Sequence, residues 1–110
     1  MIDALIAGRL HGAPEQRTDK NGHPYAVAKV RAIAGNGAPV WISVIAFDDV
    51  PAAALWAMGD GDSVALCGEL TPMAWVDKTG TARPSLDLIA HQVLSEYHVN
   101  RRRKALEAAT

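Results

Sequence analysis

The sequence predicts an all-β protein, a barrel of five strands with one short helix between the third and fourth strands. Three observations support this prediction. Several stretches are rich in β-branched residues or alternate apolar with polar side chains, as strands do. Turn signals containing Gly separate these stretches, and one segment after the third of them has the end signals of a helix. At 110 residues, the chain fits one domain with a core of its own.

The first two predicted strands are separated by a turn-rich segment. Residues 2–11 form the first strand because their side chains alternate between two faces. The segment HGAPEQRTDKNGHP that follows contains Asn21-Gly22, a strong hairpin signal. Residues 25–34, YAVAKVRAIA, form the second strand.

The third predicted strand, residues 40–47 (VWISVIAF), is apolar on both faces. One face is aliphatic, and the other presents Trp41, Ser43, Ile45 and Phe47. An antiparallel strand with one solvated face should alternate apolar with polar residues. Since this strand does not, we expect its aromatic face to bind a ligand or to pack against another apolar surface. Lys29 and Arg31 on the second strand are expected beside its rings, which would interleave cations with aromatic side chains.

A short helix is predicted within residues 47–61, FDDVPAAALWAMGDG. Asp49 lies near its N-cap, Pro51 in its first turn, and Gly59 at its end. Trp56 falls on this helix among apolar residues, which favours a role in packing.

The remaining two strands complete the predicted barrel. The fourth strand is expected over residues 63–70, a loop over 71–82, and the fifth strand over about 83–94. Five strands with a helix between the third and fourth is the order of an OB-fold barrel, which binds oligonucleotides or oligosaccharides on its second and third strands and the loops around them.

Composition and charge exclude several classes of protein. The chain is 49% hydrophobic and 21% charged, as globular proteins are. Its net charge of −1 argues against binding nucleic acid by bulk electrostatics alone. Its longest apolar run, residues 50–58, is far shorter than the ~20 residues of a membrane span, so no membrane partner is expected. Cys67 is the single cysteine, which fits a reducing cytoplasm.

Six segments occur along the chain in a characteristic order. They begin with GRLHGAPEQRTDKNG at residues 8–22 and continue with AVAKV, VWISVIAF, GDSVALCGEL, AWVDKTG and LDLIAHQVLSEY. The series resembles the bacterial single-stranded DNA-binding protein family, including the Gly-Arg-Leu, Pro-Glu, Arg and closing Gly of its first segment. The resemblance covers residues 1–97 and implies an OB-fold domain that binds single-stranded DNA. Residues 98–110 are then a short basic C-terminal tail.

The resemblance also implies a set of binding residues. In the family, bases stack on strand-borne Trp and Phe residues, which by position are Trp41, Phe47 and Trp75. Trp75 falls in the predicted loop, where an exposed ring has few core partners. Arg17 matches a basic position of the family's first loop. Strand parity and closeness to the hairpin add four candidates for phosphate contacts: Lys29, Arg31, Lys78 and Arg83.

The function implied is the binding and protection of single-stranded DNA in replication, recombination or repair, without sequence preference. Such a protein is cytoplasmic and associated with the nucleoid. We expect a homo-oligomer, with a tetramer favoured over a dimer. The family's acidic C-terminal tip recruits other enzymes, whereas this chain ends NRRRKALEAAT, so recruitment by that route is not expected. The run Arg101 to Lys104 is either a solvated tail or an additional phosphate contact.

Two other functions stay open. One is a replication-restart primosomal accessory OB protein, which is usually dimeric and depends more on basic contacts. The other is a protein-interaction module in which the aromatic face is an interface. Tyr25 would stack on bases or cap the barrel. No enzyme is predicted because no catalytic motif is present, and no metal or other cofactor is expected because the four histidines lack zinc-like spacing.

Overall fold

The computed structural model describes residues 1–95, 104 and 106–108. Its elements are β1 (Asp3–Leu10), β2 (Glu15–Thr18), β3 (Pro24–Ile33), β4 (Pro39–Ala46), α1 (Asp49–Trp56), β5 (Ser63–Val76) and β6 (Ala82–Ser95). The predicted all-β class and the helix after the VWISVIAF strand are confirmed. The expected domain boundary at residue 97 and the run Arg101 to Arg103 lie outside the described residues. Within the described part, none of the helices has the length and apolar character needed to cross a membrane.

Five of the strands close into a barrel. The ring runs β1, β5, β6, β4 and β3, and the pairing of β3 with β1 closes it. Every pairing in the ring is antiparallel except that between β4 and β6, which is parallel. This is the predicted five-stranded barrel, with β1, β3, β4, β5 and β6 as its first to fifth strands.

The sixth strand, β2, was not predicted from the sequence. Its four residues are all exposed, so they lack the apolar alternation by which a strand is recognised. It pairs with β3 because the turn at Asn21-Gly22 folds it back. The Asp19 carboxylate fixes that turn by accepting from the backbone N–H groups of Asn21 at 2.8 Å and His23 at 2.9 Å.

The prediction of a loop over residues 71–82 was wrong. β5 continues to Val76 and β6 begins at Ala82, and the two strands stay paired along their whole length. Residues 71–76 are exposed on both faces because this hairpin projects beyond the hydrophobic interior. With neither face buried, the segment has no hydrophobic pattern that would mark it as a strand.

The core lies inside the barrel, and α1 closes one end of it. The aliphatic face of β4 supplies Ile42, Val44 and Ala46, and α1 supplies Leu55, all at most 1% exposed. Trp56 packs against this cluster, and its indole N–H donates to the carbonyl oxygen of Glu15 at 3.2 Å. The predicted packing role of Trp56 is therefore confirmed.

Gly68 marks an irregularity in the pairing of β5 with β6, within the part of β5 that still pairs with β1. The register with β6 shifts between Cys67 and Gly68, and such bulges bend the strand that contains them. A Cβ atom at Gly68 would lie 1.9 Å from the carbonyl oxygen of Ile89. The two backbones approach so closely that no side chain fits.

Candidate nucleic-acid interface

The outward faces of β3, β4 and β6 form rows that run across the sheet. Directly paired residues point to the same side, and Arg31 pairs with Trp41 while Lys29 pairs with Ser43. Trp41 in turn pairs with Ser85 across the parallel β4–β6 ladder. The predicted placement of Lys29 and Arg31 beside Trp41 is confirmed by this register. Their predicted placement beside Phe47 is wrong, because Phe47 follows β4 at the opposite end, where Tyr25 lies.

Trp41 and Trp75 line the same groove. They come from β4 and β5, which β6 separates, and the groove between them has a volume of about 430 Å³. Trp41 is 36% exposed and Trp75 is 48% exposed, so both rings are accessible to a ligand. The other lining residues are His11, Lys29, Ile42, Ser43 and Ser85. Three of the predicted binding residues, Lys29 and the two tryptophans, thus meet at one site.

Phe47 does not line this groove. It lies just beyond the far end of β4, 46% exposed, with its ring centroid 5.5 Å from that of Tyr25 and the planes tilted by 43°. Tyr25 pairs with Arg17 on β2. His23 holds the segment in place by donating from Nε2 to the carbonyl oxygen of Phe47 at 3.1 Å. The predicted aromatic residues therefore form two clusters, one at each end of β4.

The predicted basic residues differ in whether a carboxylate of the protein lies close enough to form an ion pair with them. Arg17 lies 3.5 Å from the Glu15 carboxylate, and Arg83 Nε lies 2.9 Å from Asp77 Oδ2. Lys29, Arg31 and Lys78 are exposed and have no ion pair with any other described residue. These three have the more fully available charges.

A network around Asp77 fixes the tip of the β5–β6 hairpin, beside Trp75 and Lys78. Asp77 Oδ1 accepts from the Thr79 hydroxyl at 2.6 Å and from the Thr81 backbone N–H at 3.0 Å. These bonds, together with the guanidinium of Arg83, lower the pKa of Asp77 from 3.8 to about 2. The carboxylate is therefore ionised at neutral pH and holds the turn.

Comparison with known proteins found similarity in structure alone. No protein-family model matches the chain, and no curated protein matches it in sequence. The crystal structure of the small single-stranded DNA-binding protein from Streptomyces coelicolor is 22% identical, with a TM-score of 0.69 over 86% of this chain and 94% of that one. Mitochondrial single-stranded DNA-binding protein from S. cerevisiae is 14% identical, with a TM-score of 0.65 over 86% and 94% of the two chains.

A third similar structure is the single-stranded DNA-binding domain of a protein from Synechococcus sp. It is 21% identical and has a TM-score of 0.63 over 84% of this chain and 93% of that one. The chain has the OB fold of these single-stranded DNA-binding proteins. The fold implied by the sequence resemblance is thereby confirmed, and the similarity extends over nearly the whole of each of the three chains.

Two residues on this OB-fold surface were missed by sequence reasoning. The His11 ring lies 4.8 Å from the Trp41 ring at an interplanar angle of 77°, an edge-on contact. Arg9 pairs with Arg31 and so extends the row of cations from β3 onto β1. No local signal could have found them, because the β1–β3 register that places them depends on closure of the OB-fold barrel.

Two further histidines in the described part of the chain lie near carboxylates. His91 lies 3.5 Å from Asp48 and 3.7 Å from Glu69, and His23 lies 3.7 Å from Asp49. Among the described residues, no three His, Cys, Asp or Glu side chains converge so as to hold a metal ion.

Proposed function

We propose that this protein binds and protects single-stranded DNA, without strong sequence preference, in replication, recombination or repair. The observation that supports this most directly is the groove in which two exposed indoles, Trp41 and Trp75, lie with Lys29. Every base has a π-face, so each stack on an aromatic ring contributes about 1–3 kcal/mol whatever the sequence. The OB fold, shared with proteins that bind single-stranded DNA, supports the same proposal.

In the proposed mechanism, unpaired bases stack on the rings while basic side chains contact the phosphates. Lys29 and Arg31 run beside Trp41 on the neighbouring strand, and Lys78 occupies the hairpin tip. Duplex DNA is disfavoured because its bases are already stacked on one another. With a net charge of −1, the protein depends on stacking for much of its affinity.

The remaining predicted residues extend the interface. Phe47, packed on Tyr25, forms a second stacking cluster with Arg17 beside it. Arg83 supports the hairpin through Asp77 and also presents its guanidinium to solvent. The proposed interface comprises Trp41, Phe47, Trp75, Arg17, Lys29, Arg31, Lys78 and Arg83.

Tryptophan fluorescence tests the proposal. Oligo-dT should quench the wild-type protein strongly, because two of its three tryptophans would stack on bases. A Trp41→Phe, Trp75→Phe double variant retains Trp56, which packs against the core, and its emission should not change on addition of oligo-dT. Unchanged wild-type fluorescence with no binding by an independent assay, such as filter retention, would reject the proposal in favour of a protein-interaction module.

We also propose that the protein assembles with copies of itself through β1. Leu5 and Ile33 are 64% and 59% exposed and line one shallow apolar groove. β1 pairs with β3 through Arg9 and Leu10, and along residues 3–8 that edge of β1 has no strand partner in the described part of the chain. An exposed apolar surface next to an open strand edge suits a second copy of the same strand.

The favoured assembly is a homotetramer, and a dimer would favour the replication-restart accessory function. Light scattering gives the mass directly, and Leu5→Asp should shift it towards the monomer. A wild-type protein that is monomeric at micromolar concentration would exclude both assemblies. The proposed function and the lone Cys67 also support a cytoplasmic, nucleoid-associated location.

A further inference from the structure

Charge is ordered across the outward face of the sheet. The cations Lys29 and Arg31 lie on β3, Trp41 lies on β4, and Asp87 lies on β6. The sheet order places β4 between β3 and β6. β6 also bears Arg83, but that guanidinium lies 2.9 Å from Asp77 Oδ2 at the hairpin tip, four residues along the strand from Asp87. Near Asp87, cations, the Trp41 ring and an acceptor therefore follow one another on three neighbouring strands.

Asp87 lies in one row with Lys29. Lys29 pairs with Ser43 on β4, and Ser43 pairs with Asp87 on β6. All three are exposed. Neighbouring strands are about 4.8 Å apart. Because β4 lies between them, β3 with Lys29 and β6 with Asp87 are two such spacings apart. The Asp87 carboxylate has no hydrogen bond or ion pair with any other residue that the structure describes.

This order fixes how a nucleotide can lie on the sheet. Two strand spacings are comparable to the reach of a nucleotide from its phosphate to the pairing edge of its base. A phosphate at Lys29 places the base over β4 and its edge towards Asp87. The opposite orientation would place a phosphate beside the carboxylate, where like charges repel.

We propose that Asp87 accepts a hydrogen bond from the exocyclic amino group of a bound base and so biases binding towards cytosine over thymine. This inference rests on the proposed function. A carboxylate can only accept, and cytosine offers an amino donor at the position where thymine carries an acceptor oxygen. Ser43 and Ser85 line the groove beside it, but a hydroxyl both donates and accepts, so they do not distinguish the two bases.

The test compares oligo-dC with oligo-dT of equal length, at neutral pH, for the wild type and Asp87→Asn. An asparagine amide donates as well as accepts, so it should serve both bases. We expect the affinity for dC relative to dT to fall about fivefold in the variant. The dC to dT affinity ratio of the variant is compared with that of the wild type. This comparison cancels the intrinsic difference in flexibility between the two homopolymers, which is the same for both proteins.

Asp62→Asn is the matched control for charge. Asp62 is an exposed acid in the loop between α1 and β5, and an asparagine there can still accept the hydrogen bond that Asp62 Oδ2 takes from the Gly59 N–H at 2.8 Å. Its replacement should leave the dC to dT ratio unchanged. An Asp87→Asn variant that binds both homopolymers more tightly by the same factor would overturn the inference, because Asp87 would then act as a charge alone. Failure of the wild type to bind either homopolymer would instead reject the proposed function itself.

Discussion

Asp77 and Arg83 are joined across the β5–β6 hairpin, with 2.9 Å between Asp77 Oδ2 and Arg83 Nε. Arg83 pairs in register with Trp75 on the opposite strand. The ion pair therefore fixes the part of the hairpin that brings Trp75 to the groove. The geometry of the candidate DNA site thus depends on a carboxylate that does not itself line the groove.

The first prediction concerns the acid sensitivity of the hairpin. Since folding lowers the pKa of Asp77 from 3.8 to about 2, its stabilising contribution is complete above the unfolded value and is lost as the pH falls towards 2. Carboxyl chemical shifts followed by NMR should show Asp77 titrating well below its ordinary pKa of 3.8. A midpoint at that ordinary value would show that the network does not persist in solution.

The second prediction is that Trp75→Ala weakens binding to oligo-dT by about 1–3 kcal/mol, the value of one stacked base. The melting temperature should change little, because residues 71–76 project beyond the core. Val76→Ala is the matched control, since Val76 is exposed on the same hairpin and lines no part of the groove. A large drop in the melting temperature of Trp75→Ala would mean that its ring is needed for folding.

The third prediction concerns the salt dependence of binding. Lys29 lines the groove and has no ion pair in the described part of the molecule. Lys29→Ala should reduce the slope of log affinity against log salt by about 0.7, the value for one phosphate contact on a single strand. Arg17→Ala should change the slope less, because Glu15 already lies 3.5 Å from that guanidinium. Equal slopes for Lys29→Ala and the wild type would remove Lys29 from the phosphate path.

The fourth prediction is that Gly68→Ala destabilises the fold by about 1–3 kcal/mol, as overpacking does. The added methyl group would meet the carbonyl oxygen of Ile89 at 1.9 Å, and the backbones of β5 and β6 would have to separate. Gly35→Ala is the control, since a Cβ there has nothing within 4 Å. Urea denaturation measures both variants, and equal midpoints would show that the bulge adjusts freely.

The turns show why much of the topology could be predicted from sequence. Residues 19–23, 34–38 and 77–81 each join two strands, and in each the fourth residue is Gly with φ between 82° and 86°. In each, its N–H donates to the carbonyl oxygen of the first residue. A left-handed residue at that position favours Gly, so turn chemistry is local and can be recognised from a few residues.

The site could be predicted only in part, because its assembly is not local. Strand alternation predicted that Lys29 and Trp41 share a face, since that depends on two neighbouring strands. The meeting of Trp41 with Trp75 requires β6 to lie between their strands, with a parallel register on one side and an antiparallel register on the other. No pattern within a few residues encodes that arrangement. The contact of His11 with Trp41 likewise depends on pairings between distant segments, those of β1 with β3 and of β3 with β4.

The β5–β6 hairpin extends past the hydrophobic interior. The length of the groove can therefore change without affecting the residues that stabilise the barrel. Paired residues could be added to or removed from both strands near Val76 and Ala82 without opening a cavity in the core. Because side chains alternate along a strand, changes of two residues at a time would keep Trp75 on the same side. The fold can therefore vary the length of the candidate groove by small insertions and deletions, while the sequence of its interior stays the same.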